Sequence, residues 1–221
     1  MITKPVSYKT KVYEHLKDGI ISGSYSPGET LNERKLAEDL GISRTPIRDA
    51  LHELNSEGWV IMEAHKKTYV REFEISFIVD AQFVRQALEV FAVEDALHNF
   101  TERNRENLLQ YYEKQKEILM DYDPKLFMEY DHLFHAEIYN ASKNEILKKQ
   151  LGNLNDIIRC YCYNIRLLMA PERSKETVRE HKEILDAILV NDVERAQLAM
   201  KKHLINAGKQ VLERYRATKS E

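Results

Sequence analysis

Chain-breaking residues are spread unevenly along this chain, and that asymmetry limits its architecture more than any other feature. Five of the seven glycines (Gly19, Gly23, Gly28, Gly41 and Gly58) fall in the first 58 of 221 residues, leaving Gly152 and Gly208 for the rest. Prolines follow the same trend, with Pro5, Pro27 and Pro46 early and Pro124 and Pro171 late. The first 71 residues therefore read as short elements joined by turns, and the remainder as long helices. A boundary near Arg71–Ile75 gives expected domains of residues 1–72 and 73–221, each long enough to bury its own core. With 43% hydrophobic and 31% charged residues, the composition is that of a soluble globular protein. No apolar run approaches the roughly 18–20 residues of a bilayer span, so no membrane association is expected. The first residues also lack the apolar centre of a signal peptide. Cys160 and Cys162 lie two apart and would point to different sides of a helix. That excludes a disulfide framework and makes a reducing cytoplasm the expected compartment.

The N-terminal third parses closely. Val12, Leu16 and Ile20 recur every fourth residue, so 9–22 is expected as an amphipathic helix ended by Gly23 and the Ser26-Pro27-Gly28 turn. Asn32 is a good N-cap for a short second helix running through Leu40. Gly41 supplies a tight turn, Ser43 caps a third helix, and Pro46 falls in its first turn, where the missing N–H costs little. Ile47, Leu51 and Leu54 form that helix's buried stripe, and Gly58 stops it. Residues 59–62 and 68–71 then read as two strands of a hairpin. Helix, helix, turn, helix, hairpin is the layout of a winged helix-turn-helix.

Arg44 and Arg48, four residues apart, share the face of the third helix opposite its apolar stripe. Two guanidiniums near a helix N-terminus suit bidentate bonding to guanine O6 and N7 in a major groove. Thr45 adds a hydroxyl for a phosphate or base edge, and His65, Lys66 and Lys67 make a basic hairpin tip suited to backbone or minor-groove contact. The same spacing also fits a solvated helix face with no partner. Taken over the whole chain, charge opposes DNA binding, with 33 Lys+Arg against 36 Asp+Glu. By region the balance is +1 over residues 1–71 (11 basic, 10 acidic) and −4 over residues 72–221 (22 basic, 26 acidic).

Pro27-Gly28-Glu29-Thr30-Leu31, Leu36-Ala37, the run from Gly41-Ile42-Ser43-Arg44-Thr45-Pro46-Ile47-Arg48 to Asp49-Ala50-Leu51, then Leu54 and Glu57-Gly58-Trp59-Val60, resemble the GntR-family winged-helix signature. The resemblance implies that Arg44 and Arg48 contact operator bases and that Arg34, at the start of the second helix, also contacts DNA. The wing departs from it. The family's Pro-x-Arg-Gly is here Ala64-His65-Lys66-Lys67, without the glycine that lets backbone approach a minor groove.

Residues 76–221 divide at their breakers into six expected helices, 76–99, 102–121, 124–141, 144–169, 174–191 and 192–216. Short connections predict that successive helices pack antiparallel, so the expected fold is mainly α, a winged helix followed by an all-α antiparallel bundle. Asp131 and His135 stack on one helix face, and His181 and His203 come level across a helical hairpin. One Asp and three His form an N₃O set that suits Zn²⁺, and also Ni²⁺, Mn²⁺ or Fe²⁺. Isolated core or surface histidines fit the same positions, and that is the assignment made for His15, His52, His98 and His132. Leu108/Leu109, Ile118/Leu119 and Ile157/Ile158 are read as packing.

Phe83-Val84-Arg85-Gln86-Ala87-Leu88-Glu89, Asp131-x-x-Phe134-His135-x-x-Ile138, Asn144, Glu180-His181-x-x-Ile184-x-x-Ala187-Ile188 and Ala196-x-x-Ala199-Met200-x-x-His203-Leu204 are similar to the FCD ligand-binding domain of the FadR subfamily. Six helices suggest its VanR-like variant. That resemblance implies metal ligation by Asp131, His135, His181 and His203. Such a metal would keep coordination positions for a small carboxylate, with a cation neutralising a second charge. Arg85, on a stripe with Val84, Leu88 and Phe91 read as inward-facing, is the first candidate for that cation, and a simple salt bridge to Glu89 fits it equally. Asn164 and Arg166 are further effector candidates.

The expected function is a homodimeric, metabolite-responsive transcriptional regulator, read as a repressor, that binds an inverted-repeat operator and is not an enzyme. One alternative is a regulator that senses the metal alone. Another is a metal-dependent hydrolase or lyase, which would need a general acid or base beside the metal; Glu137 and Glu180 are close in sequence, and neither is evidently placed for that task.

Overall fold

A computed structural model describes residues 7–63, 67–164 and 170–218. The element order is α1 (Tyr8–Ser22), α2 (Glu33–Leu40), α3 (Arg44–Ser56), β1 (Val60–Met62), β2 (Thr68–Val70), α4 (Ile75–Leu97), α5 (Glu102–Ile118), α6 (Pro124–Asn140), α7 (Glu145–Asn164), α8 (Pro171–Leu189) and α9 (Val193–Thr218). The chain divides into two compact units, Met1–Glu74 with Cys160–Arg166, and Ile75–Arg159 with Leu167–Glu221.

In the first unit, α3 packs on α1 and α2 through fully buried Leu16, Ile20, Ile47, Leu51 and Leu54. Asn32 Oδ1 accepts from the Arg34 and Lys35 N–H groups and so starts α2 as expected. Ser43 occupies the N-cap of α3 without a side-chain cap bond. At the other end Gly58 takes φ +83°, its N–H bonds Asn55 O at 3.1 Å, and the next N–H, from Trp59, bonds Leu54 O at 2.9 Å. Those two bonds make a Schellman stop, for which a left-handed residue is required. The hairpin register pairs Val60 with Val70, Ile61 with Tyr69 and Met62 with Thr68. Residues 28–31, which follow the Ser26-Pro27-Gly28 turn and are given no element from sequence, also pair with β2: Leu31 N–H bonds Thr68 O at 2.8 Å and Val70 N–H bonds Glu29 O at 2.9 Å. The free edge of β2 is thereby covered, a long-range contact that no local pattern announces.

The second unit holds α4–α6, α8, α9 and most of α7. Its breakers work as caps. Thr101 and Asn104 form a capping box at α5, Asp123 Oδ1 accepts from the Lys125 and Leu126 N–H groups at α6, and Pro124 and Pro171 open α6 and α8. Pro171 therefore begins a helix expected to start at Ser174, because proline lacks only an N–H that a first turn leaves unpaired anyway. The strongest packing of α4 is on α9 at the other end of the unit and then on α6, rather than on the next helix, α5. The core runs through Val93, Leu108, Phe127, Phe134, Ile138, Ile184, Ile188 and Met200, with a smaller cluster of Ala92, Tyr139, Leu147 and Leu151.

The expected inner stripe of α4 is corrected. Val84 and Phe91 are about half exposed, and the buried face is Ile78, Ala81, Arg85, Glu89, Ala92 and Ala96. Apolar residues surround this helix on all sides, so periodicity alone could not choose the face that turns inward. Leu109, expected in packing, is also exposed, while Leu108, Ile118, Ile157 and Ile158 are buried. Among the described residues no helix is long and apolar enough to cross a membrane. Cys160 and Cys162 form no disulfide among the described residues.

Candidate functional site

On α3 the side chains of Arg44 and Arg48 are 60% and 54% exposed and share one acceptor, Glu33, the first residue of α2. Thr45 beside them is exposed. Arg34 is also exposed and pairs with Glu38 one turn along, Nε to Oε1 at 2.9 Å. In the wing, Lys67 is exposed, while His65 and Lys66 lie outside the described residues.

The second site is assembled by α6, α8 and α9. Asp131 and His135 come from α6, His181 from α8 and His203 from α9, and one ligand atom from each lies within 4.8 Å of all the others. The three imidazoles are buried. Each presents Nδ1 to an outer acceptor. His135 Nδ1 is 2.6 Å from Glu89 Oε2, His203 Nδ1 is 2.8 Å from Glu180 Oε2, and His181 Nδ1 is 2.8 Å from Gln115 Oε1. That leaves the Nε2 atoms turned inward. Those of His135 and His203 are 3.1 Å apart, and His181 Nε2 is 3.6 Å from Asp131 Oδ1. His181 Nε2 and Asp131 Oδ1 are buried with no hydrogen-bond partner. Phe134 stacks flat on His181, centroids 4.1 Å apart, which fixes the plane of that ring.

The outer acceptors are held in turn. Arg85 Nε donates to Glu89 Oε1 at 2.6 Å and Asn155 Nδ2 donates to the same oxygen at 3.2 Å. Arg173 Nη2 donates to Glu180 Oε2 and Asn206 Nδ2 to Glu180 Oε1, both at 2.7 Å. Burial raises the Glu89 carboxyl, but Arg85 and His135 outweigh it and hold the group well below the usual carboxylate range. For Glu180 burial is likewise outweighed, by hydrogen bonds from His203 and Arg173, and the carboxyl sits at about 2. Burial, followed by the charge of its fellow histidines, pushes His181 well below 6.5. Burial also lowers His203, against the pull of Glu180. Glu89, Glu180 and the amide oxygen of Gln115 are placed to accept Nδ1–H from His135, His203 and His181, which turns the three Nε2 atoms toward the centre. This donor chemistry fits a divalent cation, since lone pairs brought together without protons repel unless a positive charge lies between them.

The effector candidates divide. Arg85 is buried and forms the salt bridge to Glu89, so it reaches the cluster through that carboxylate. Arg166 and the side chain of Asn164 lie outside the described residues. Nearby on α7, Arg159 has a buried, unpartnered Nε and only a 3.8 Å contact to Asp156. Burial first, and then the charge of Arg159, brings His132 down to about 4. Glu137 accepts from Asn104 and Asn107 and is spent on helix packing, while Glu180 is committed to His203, Arg173 and Asn206. Neither is a free general base. Sequence reasoning had no role for Glu89 or Gln115 as outer acceptors. Their signals were a buried-face acid at i+4 from Arg85 and a glutamine on an otherwise apolar helix face.

Residues 8–70 match the bacterial regulatory proteins of the gntR family, and residues 80–206 match the FCD domain. The chain belongs to the GntR family, with an FCD domain. It is similar to the HTH-type transcriptional regulator YdhC of Bacillus subtilis (strain 168), 29% identical over 197 residues that cover 89% of this chain and 87% of the relative. It is also similar to the HTH-type transcriptional repressor RspR of Escherichia coli (strain K12), 24% identical over 91% of this chain and 87% of that one. Among solved structures, E. coli McbR/YncC shares the fold, with TM-score 0.79 and 23% identity over 96% of this chain and all of that one. This GntR-family chain is a DNA-binding transcriptional regulator and not an enzyme.

Proposed function

We propose that the FCD unit binds a divalent cation through Asp131, His135, His181 and His203, binds a small organic acid against that cation, and thereby alters how a homodimer grips an inverted-repeat operator. The observation that carries this reading is the division of labour on the imidazoles: three Nδ1 atoms engaged outward, and the inward His181 Nε2 and Asp131 Oδ1 buried and unpartnered. An N₃O donor set favours Zn²⁺, with Ni²⁺, Mn²⁺ and Fe²⁺ as competitors. When bound, the ion supplies a Lewis acid that anchors a carboxylate oxygen. Arg85, with Arg159 on α7, supplies fixed positive charge for the rest of the acid; Asn164 and Arg166 are proposed as effector residues from the sequence alone.

Dimerisation is supported by an exposed apolar face. Phe77, Val84 and Phe91 recur at seven-residue intervals on α4, Leu198 and Ile205 do so on the α9 that packs against it, and all are more than a third exposed. Exposed apolar residues aligned along two packed helices are the kind of surface that a second copy can cover. DNA contact is assigned to Arg34, Arg44, Thr45 and Arg48, and in the wing to His65, Lys66 and Lys67.

Metal analysis of protein purified without chelator is expected to find about one divalent ion per chain, lost in His135→Ala. Zn²⁺ added at about 100 times its Kd should raise Tm by roughly 5–10 °C. Di- and tricarboxylates should raise it further only when metal is present, and should shift operator affinity at fixed salt. Protein without metal, or one whose stabilising acids leave operator affinity unchanged, would refute the respective part. An operator response to metal alone would identify a metal sensor.

A further inference from the structure

Glu33 is claimed twice by α3. Its Oε2 accepts from Arg44 Nη2 at 3.2 Å and Arg48 Nη2 at 3.0 Å, while Oε1 accepts from Arg48 Nε at 3.3 Å. The carboxylate therefore occupies the Nε/Nη2 side edge of Arg48 in a fork. A guanidinium has a second two-donor edge, Nη1/Nη2, and the fork leaves that end edge directed away from Glu33. The side chain of Glu33 is only 21% exposed beneath arginines that are 60% and 54% exposed, so it lies under the reading surface rather than on it. Arg44 and Arg48 are like charges one turn apart, and without the acid they would repel and splay.

From this geometry we infer that Glu33 is a positioning residue for DNA reading, bracing Arg44 and Arg48 so that their outer donor edges meet bases while one of their two charges is cancelled. The inference rests on the assignment of α3 as the base-contacting helix. Bracing orders the long side chains before encounter, so less rotamer freedom is lost on binding. Cancelling a charge weakens the sequence-independent pull of phosphates, which scales with the number of cations at the surface. Both effects widen the gap between specific and non-specific DNA. Arg34, paired with Glu38 by Nε alone, has no such fork.

The test uses a duplex selected from a random-sequence pool by the full-length wild-type protein, and a scrambled duplex of the same length. Affinity for both is measured across a salt series for wild type, Glu33→Gln, Glu33→Asp, Arg44→Ala and Arg48→Ala. Glu33→Gln is expected to narrow the specific-to-scrambled ratio by about tenfold or more. Its scrambled-duplex affinity should be unchanged or higher, and its salt slope steeper by about one per reading head. Glu33→Asp should recover part of the ratio. If Glu33→Gln strengthens or weakens both duplexes in proportion, or widens the ratio, Glu33 is a competitor or a structural residue and the proposal is wrong. If the ratio falls in the arginine variants but not in Glu33→Gln, only the Glu33 role is lost. If the arginine variants keep it, the assignment of α3 fails and takes Glu33 with it.

Discussion

The residues that orient the histidines carry as much of the centre's chemistry as the ligands themselves. Glu89 sits between two buried partners, taking His135 Nδ1 on one oxygen and Arg85 Nε on the other. Removing it strands a buried guanidinium and leaves His135 free to rotate. A broken buried pair costs roughly 3–5 kcal/mol. For a chain of this length Glu89→Ala should therefore lower Tm by roughly 6–20 °C, read by circular dichroism on metal-free protein. Glu89→Gln keeps the shape and should weaken metal binding by roughly 10–100-fold, the usual scale for an outer partner of a ligating histidine. The double variant Arg85→Met/Glu89→Leu separates the two roles. Stability should return, because an apolar pair of similar volume replaces the ion pair without its desolvation cost, whereas metal affinity should stay low. Recovery of both would mean that Glu89 serves packing alone.

At the level of elements, most helices were legible because their caps are local. Asn32 announces α2 through a side-chain oxygen that accepts the first N–H groups, while α5 and α6 are placed by their breakers and prove to be capped by Thr101 and Asp123. The orientation of α4 was not legible. Phe91 and Val84 looked like core residues, yet about half of each is exposed, and polar Arg85 and Glu89 turn inward. A helix apolar on every side can bury either face, and the face that is buried is the one that brings Glu89 to His135. That outer surface yields its own prediction. Phe91→Glu places a charge in the middle of the α4/α9 face and should convert a dimer into monomers in sedimentation velocity, with selected-operator affinity falling by at least tenfold as the two half-sites uncouple. A variant that remains dimeric would remove this face from the interface.

On the scale of the whole molecule, the formal charge of −3 misleads, because it sums a reading head at +1 with a helical unit at −4. Placement governs instead. Two arginines and a buried-side glutamate act as one braced cation pair on α3. Global stability carries a signature of burial as well. Burial is the first cause raising the phenols of Tyr25, Tyr111, Tyr122 and Tyr139, and Tyr139 is the most strongly shifted. Because the folded phenols ionise above the ordinary value of 10.0, their contribution is complete below that pH. It is lost as pH rises past 10.0 and the unfolded chain ionises first. Chemical denaturation between pH 8 and 11 should show this alkaline fall, and Tyr139→Phe should flatten it; an unchanged slope would assign the fall to other groups.

Periodicity, caps and breakers by themselves determined the order of elements, the winged-helix layout and the presence of Asp131, His135, His181 and His203 at spacings that a helical bundle can bring level. These are local quantities, set by neighbours within a turn or two of each residue. Tertiary structure alone decided which face of α4 is buried, that residues 28–31 pair with β2, that Glu89, Gln115 and Glu180 hold the histidines, and that Glu33 joins Arg44 to Arg48. Each of those contacts links residues far apart in the chain, so it depends on packing and charge complementarity between elements rather than on any propensity written within one.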